Sequence, residues 1–143
     1  MIFWKENNVE ISYDQLLSEI KSNESIHNLS GLNYFIKILK SLLRGQSFNS
    51  IDEILNYLRD NSSSLKFEIS TSGTTSDQKK IQVKLSNCIR YVKTRDRDVE
   101  KIWGLGYPVG SFASTQVFFQ SLFNSECIIY LFEQDFNSIV KII

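Results

Sequence analysis

The chain has 143 residues, 42% of them hydrophobic and 13% aromatic. That is enough to bury a core, leaves too little polarity for a disordered segment, and fits one domain or a piece of a larger one. Net charge is zero, so no global field points to nucleic acid or a membrane surface, although residues 79–101 hold eight basic and three acidic side chains. No apolar run approaches the ~18 residues of a membrane span, and the opening MIFWKENN is too short and too soon charged for a secretory signal. Cytoplasm is the expected location. Cys88 and Cys127 lack a CxxC spacing, and the single His27 cannot complete a zinc site with them, so both read as reduced structural thiols.

In chain order, IFWKENNVEISY reads as a hairpin turning at Asn7-Asn8. Ser12 is placed to cap a helix over YDQLLSEIKS, with Asp14 and Gln15 in its first turn. LNYFIKILKSLL sets Leu32, Phe35, Ile36, Leu39, Leu42 and Leu43 on one helical face and should stop at Gly45. A third helix follows, capped by Asn49 or Ser50, with Asp52 and Glu53 at its positive end and Ile51, Ile54, Leu55 and Leu58 facing inward. NSSS at residues 61–64 breaks it.

The period then changes to two. LKFEIST alternates Leu65, Phe67 and Ile69 with polar residues, and KIQVKL alternates Ile81, Val83 and Leu85 in the same way, so two strands flank residues 70–78. Ser86 is placed to cap a helix running to about Lys101. GLGYPVGS, which holds the single proline Pro108, reads as a loop. FASTQVFFQSLF is apolar on most sides and predicts a helix buried on two faces. CIIYLF predicts an interior strand covered on both faces. FNSIVKII begins a last helix, with Asn137 or Ser138 as its cap. Its apolar end, Ile139, Val140, Ile142 and Ile143, lacks a polar tail, which suggests a piece of a longer architecture. The fold class is α/β, a sheet flanked by helices with edges that this chain does not pair by itself.

One stretch exceeds what a turn needs. ISTSGTTSDQKKIQV (residues 69–83) crowds seven Ser, Thr and Gly residues between the two strands and ends in two lysines. Consecutive backbone N–H groups in such a bend form a concave nest for anions. Gly73 lets backbone approach a ligand closely, and a lysine adds a point charge suited to polyphosphate. A polar hairpin loop is the plainer alternative. The Walker A pattern is absent, since Gly73 stands alone and Lys79-Lys80 has no trailing hydroxyl. Gly104, Gly106 and Gly110 are one residue too widely spaced for GxGxxG.

The run resembles the signature loop of the adenylate-forming ligases, the superfamily of acyl-CoA synthetases, peptide-synthetase adenylation domains and luciferases. That loop reads Ser or Thr, Ser-Gly, Ser or Thr, Thr-Gly, any residue, Pro-Lys, any residue, then Val or Ile. The chain matches at Thr71, Ser72, Gly73, Thr74, Thr75, Lys79 and Ile81, and departs at Ser76 and Gln78, where the family has glycine and proline. VEISYDQLLSEI resembles the opening of these domains, and residues 103–132 resemble the segment that follows the signature loop.

The resemblance implies the N-terminal portion of the large domain of such an enzyme, with ATP and Mg2+ as cofactors and a carboxylic acid as substrate. Thr71, Ser72, Gly73, Thr74, Thr75 and Lys79 would hold the β- and γ-phosphates while magnesium neutralises developing charge. GYPVGS at residues 106–111 would sit toward the acyl group. Family members are much longer, so the adenosine-binding motifs and a catalytic lysine would lie in a missing half, the chain being a truncated product, a disrupted reading frame or a split subunit with a complementary partner. Little or no ligase activity is expected of the isolated chain, and homo-oligomers are a further possibility. The alternative is a non-catalytic nucleotide- or partner-binding module derived from the same family.

Other chemistries are poorly supported. Arg90, Lys93, Arg97 and Lys101 recur at helical spacing, but Asp96, Asp98 and Glu100 interleave with them and no aromatic platform accompanies them. Neither nucleic acid nor membrane is an expected partner. A serine hydrolase would need a GxSxG elbow and a histidine near it, and His27 has neither. Asp52-Glu53 is explained by helix capping.

Overall fold

The N-terminal hairpin turns where two consecutive residues accept positive φ, Asn7 at 51° and Asn8 at 63°, the pairing that a two-residue turn requires. It joins β1 (Ile2–Glu6) to β2 (Val9–Ser12) in a computed structural model that describes residues 1–71, 79–94, 100–132 and 134–142. Regular alternation would send Phe3 and Trp4 to opposite faces. An irregularity in register between Ile2 and Trp4 lets both go fully inside. Phe3 then meets Tyr13 and Phe118, and Trp4 meets Phe35 and Tyr130.

Helix α1 (Tyr13–Lys21) begins with a complete capping box. Ser12 Oγ accepts from the Gln15 N–H at 3.1 Å, and Gln15 Oε1 accepts from the Ser12 N–H at 2.8 Å. Helix α2 (Ser30–Leu43) buries all six expected residues, with Ile38 added, and ends on Arg44 and Gly45, both left-handed, at φ 52° and 73°. Ser50, one of the two candidates, caps α3 (Ile51–Asp60) through the Glu53 N–H.

The expected pair of strands is present as an antiparallel ribbon, β3 (Lys66–Thr71) and β4 (Lys79–Lys84), paired from Lys66↔Lys84 to Thr71↔Lys79. Leu65, Phe67 and Ile69 enter the core as predicted. Of the inward face expected for the second strand, Leu85 is fully buried and Val83 packs against the core, whereas Ile81 is 43% exposed. Ile81 and Val83 pair with Ile69 and Phe67 and share their face, but β3 is the strand that packs against α2 and the helix over Phe112–Asn124, so Ile81 at the far side of the ribbon stays exposed.

The predicted helix over residues 86–101 is a further correction. Helix α4 (Leu85–Ile89) has five residues, starts before Ser86, and has no side-chain cap. Beyond it, residues 90–94 are turn and loop, with Val92 packed against the core, and residues 95–99 of the expected helix lie outside the described residues. Two residues of GLGYPVGS belong to a strand that the sequence did not announce, β5 (Ile102–Leu105). There the Leu131 side chain lies where a Cβ on Gly104 would need to be, 2.8 Å from Cδ1. The glycine that looked like loop material permits close packing over the sheet.

Helix α5 (Phe112–Asn124) matches expectation, and β6 (Cys127–Tyr130) takes the first four residues of the expected CIIYLF strand, with Leu131 and Phe132 beyond its end. Helix α6 (Phe136–Ile142) starts one residue before Asn137. Its first turn closes on the Asp135 carbonyl, which accepts from the Ile139 N–H at 3.0 Å, so neither Asn137 nor Ser138 is the cap.

The four-stranded sheet runs β2-β1-β6-β5, with β1, β6 and β5 mutually parallel and β2 antiparallel at the edge. Its central strand β6 is the expected apolar run. Helices α2 and α5 meet over β1 through Phe35 and Phe118, whose rings stack 4.2 Å apart. The chain is a small mixed α/β domain with a mixed sheet flanked by helices. Among the described residues, no helix is long and apolar enough to cross a membrane.

Candidate functional site

The β3–β4 ribbon brings Thr71 and Lys79 opposite each other at its open end, as cross-strand partners. Residues 72–78 connect them. Ser72, Gly73, Thr74 and Thr75 of the expected phosphate loop lie there, as do the departures Ser76 and Gln78, and all six fall outside the described residues. The described portion therefore supplies the root of the loop, which is longer than the two-residue connection a tight hairpin uses. Lys79 is exposed at this root, and Lys80 forms an ion pair with Glu68 at 3.5 Å.

That root is tied to the second segment singled out from the sequence. The Ser70 N–H donates to the Gly110 carbonyl at 2.8 Å, joining the end of β3 to residues 106–111. Those residues leave the carboxyl end of β5 and lead into α5, where Ser111 Oγ caps the helix by accepting from the Ser114 N–H at 3.1 Å. Gly110 sits at φ +92°, where a side chain is strained. The end of β3 thus meets residues 106–111 beyond the carboxyl end of a parallel strand, where open α/β sheets commonly bind ligands.

A residue that the sequence did not flag stands at the same junction. A Cβ built on Gly110 would lie 3.4 Å from Tyr34 Oη and 3.8 Å from Ser70 Oγ. Tyr34 projects from α2 beside its buried stripe, so helical periodicity gave it no distinction. Burial first, and the Glu68 carboxylate second, raise its hydroxyl pKa above the usual phenol value. The group stays protonated and can donate.

Among the described residues, no helix carries Arg90, Lys93 and Lys101 as a stripe. Arg90 lies over the Tyr91 ring and donates to Asn87 Oδ1, whereas Lys93 makes backbone bonds with the Gln120 amide. Lys101 precedes β5, and Arg97 is outside the described residues.

A cleft of about 720 Å³ lies at the opposite end of the sheet, around the amino ends of β1, β5 and β6. Its walls include Lys5, Asp14, Asp52, Glu126 and Cys127. Lys5 is held by Glu10 at 2.7 Å, and that hydrogen bond raises its pKa. Burial raises the Cys127 thiol, opposed by Lys5 and reinforced by Glu10 and Glu100. Cys88 is fully buried and pushed up to about 12 by desolvation.

These environments fit structural thiols. Iodoacetamide at mildly alkaline pH should modify Cys127 first and Cys88 only as fast as the chain opens, as followed by peptide mass mapping. Equal rates in the folded protein would contradict the burial of Cys88.

Compared with protein-family models, with curated proteins and with solved structures, the chain matches none.

Proposed function

We propose that the chain is the phosphate-binding portion of an adenylate-forming ligase, related to the N-terminal part of the large domain in that superfamily. One observation carries the reading. Thr71 and Lys79 face each other at the root of a Ser/Thr/Gly-rich loop, and the Ser70–Gly110 hydrogen bond anchors that root beside residues 106–111.

The donors fit a triphosphate in kind. Thr71, Ser72, Gly73, Thr74 and Thr75 offer hydroxyl and backbone donors, and Lys79 offers a cation at the mouth. Hydroxyls together with phosphate oxygens are also acceptable ligands for Mg2+, which commonly keeps several waters and takes few protein ligands. Bound magnesium would neutralise phosphate charge. The chain's own residues would hold and orient the polyphosphate. A carboxylic acid would approach from the side of residues 106–111, and a complementary polypeptide, continuous with this one or separate, would hold adenosine and receive the acyl group.

Titration of the purified chain with ATP and Mg2+, followed by NMR chemical shifts, tests the reading. Saturable shifts should appear at residues 70–80, and Lys79→Ala should weaken binding by about tenfold, because a hydrogen bond to a charged group contributes ~1.5–3 kcal/mol. Wild-type protein whose spectrum is unmoved by millimolar ATP would sink the proposal.

A second reading, a non-catalytic nucleotide- or partner-binding module derived from the same family, is favoured by the closure of the core. Trp4, Phe35 and Phe118 are fully buried by this chain alone. ATP binding without ATP–pyrophosphate exchange, even with the complementary polypeptide and an acid present, would select it.

A further inference from the structure

The β3–β4 ribbon leaves one long strand edge open. Among the described residues β4 pairs with β3 alone, so alternate N–H and C=O groups along its outer side meet no strand. At six residues it is longer than β2 and β5, the four-residue edges of the main sheet. Its two faces differ in chemistry. Ile81 shares the face of the buried Ile69 and Phe67, yet is 43% exposed at the ribbon's far side. On the other face, Lys80 and Lys84 of β4 stand with Lys66 and Glu68 of β3. Glu68 is taken by Lys80 at 3.5 Å, and Lys66 lies directly opposite Lys84. Like charges so opposed are unfavourable, and neither of these two lysines has an acidic partner among the described residues.

From this geometry we propose that the outer edge of β4 is a docking site for an extended peptide that alternates acidic and apolar residues. The peptide backbone continues the ladder beyond β4, its acids lie beside Lys80 and Lys84, and its apolar residues cover Ile81. The charges decide the occupant. Lysines on an edge repel a second copy of the same strand, because β4 against β4 brings Lys80 and Lys84 onto their own kind. A strand of opposite sign meets no such barrier and relieves the opposition of Lys66 and Lys84. Ile81 adds an apolar surface that guarding the edge does not call for. None of these side chains is among those proposed to hold phosphate, so the two sites stand or fall separately.

NMR titration of the full chain with a capped peptide of about eight residues, alternating Glu with Val, tests the proposal beside its Lys–Val counterpart. The Glu–Val peptide should shift residues 79–84 saturably and slow amide exchange along β4, and the Lys–Val peptide should do neither. Lys80→Glu combined with Lys84→Glu should invert that preference. Ile81→Ser should weaken the Glu–Val peptide by about threefold, the scale of one cross-strand pair. Lys84→Glu alone should weaken it by a similar factor of about three, and it serves if the double variant does not fold. Equal response to both peptides, shifts confined to residues outside the ribbon, or no response at millimolar peptide would overturn the proposal. Exchange along β4 that slows with protein concentration alone would show self-pairing and overturn it too. An oligonucleotide that outcompetes the Glu–Val peptide without slowing that exchange would reduce the site to plain charge attraction, with the same consequence.

Discussion

Glu6→Ala should lower the free energy of unfolding by about 3 kcal/mol, a large share of the ~5–15 kcal/mol that holds a domain together. Glu6 is 2% exposed, and its carboxylate caps α2 from another element. It accepts from the backbone N–H groups of Gly31 and Leu32 at 3.1 and 3.2 Å, and from Trp4 Nε1 at 2.9 Å. The local cap position, Leu29, has no side-chain oxygen to offer. Alanine would strand three buried donors, each costing ~1–3 kcal/mol, partly offset by relief of a buried charge. Glu6→Gln keeps one acceptor oxygen but loses the charge that the helix N-terminus favours, so it should cost less, about 1–2 kcal/mol. Urea unfolding measures both, and faster amide exchange at Gly31 and Leu32 should accompany them. A cost below about 0.5 kcal/mol for Glu6→Ala would show that these donors are satisfied in another way.

Phe118→Ala should cost about 3–5 kcal/mol. The ring is fully buried and stacks on Phe35 at 4.2 Å with planes 3° apart, while Phe3 and Phe119 meet it edge-on at 5.7 and 5.3 Å. It is the point where α5, α2 and β1 converge. A cavity there cannot collapse without moving a helix, because backbone pairing fixes β1 against β6. Guanidinium unfolding gives the loss. A cycle with Phe35→Ala should return a coupling of about 1 kcal/mol, the aromatic contribution beyond area burial. A loss under about 1 kcal/mol would mean that the two helices repack freely.

The candidate site was half legible. Residues 70–80 declared themselves by composition, since seven Ser, Thr and Gly residues exceed what a strand connection needs. Residues 106–111 were marked as a loop by Pro108 and Gly110. Nothing in the sequence said that the two would be joined by the Ser70–Gly110 hydrogen bond, because the partners are 40 positions apart and both are backbone atoms. Tyr34 was invisible for a related reason. Its place at that junction depends on which side of α2 faces the ribbon, and periodicity distinguishes only the buried stripe from the rest.

What the sequence determined by itself was local. Asn7-Asn8 turned the hairpin, Ser12 capped α1, one of Asn49 and Ser50 was marked to start α3, and the apolar run at 127–132 held a central strand over its first four residues. Each depends on neighbours within a few positions, where backbone preference and side-chain reach are enough. Tertiary structure decided the rest. It made a strand of Ile102–Leu105 by laying it against β6, and left Ile81 of β4 exposed while β3 packed against α2 and α5. It also supplied the missing cap of α2 from Glu6, 24 residues before Ser30. These outcomes turn on which surfaces meet after the chain folds back, and no window of consecutive residues contains that contact.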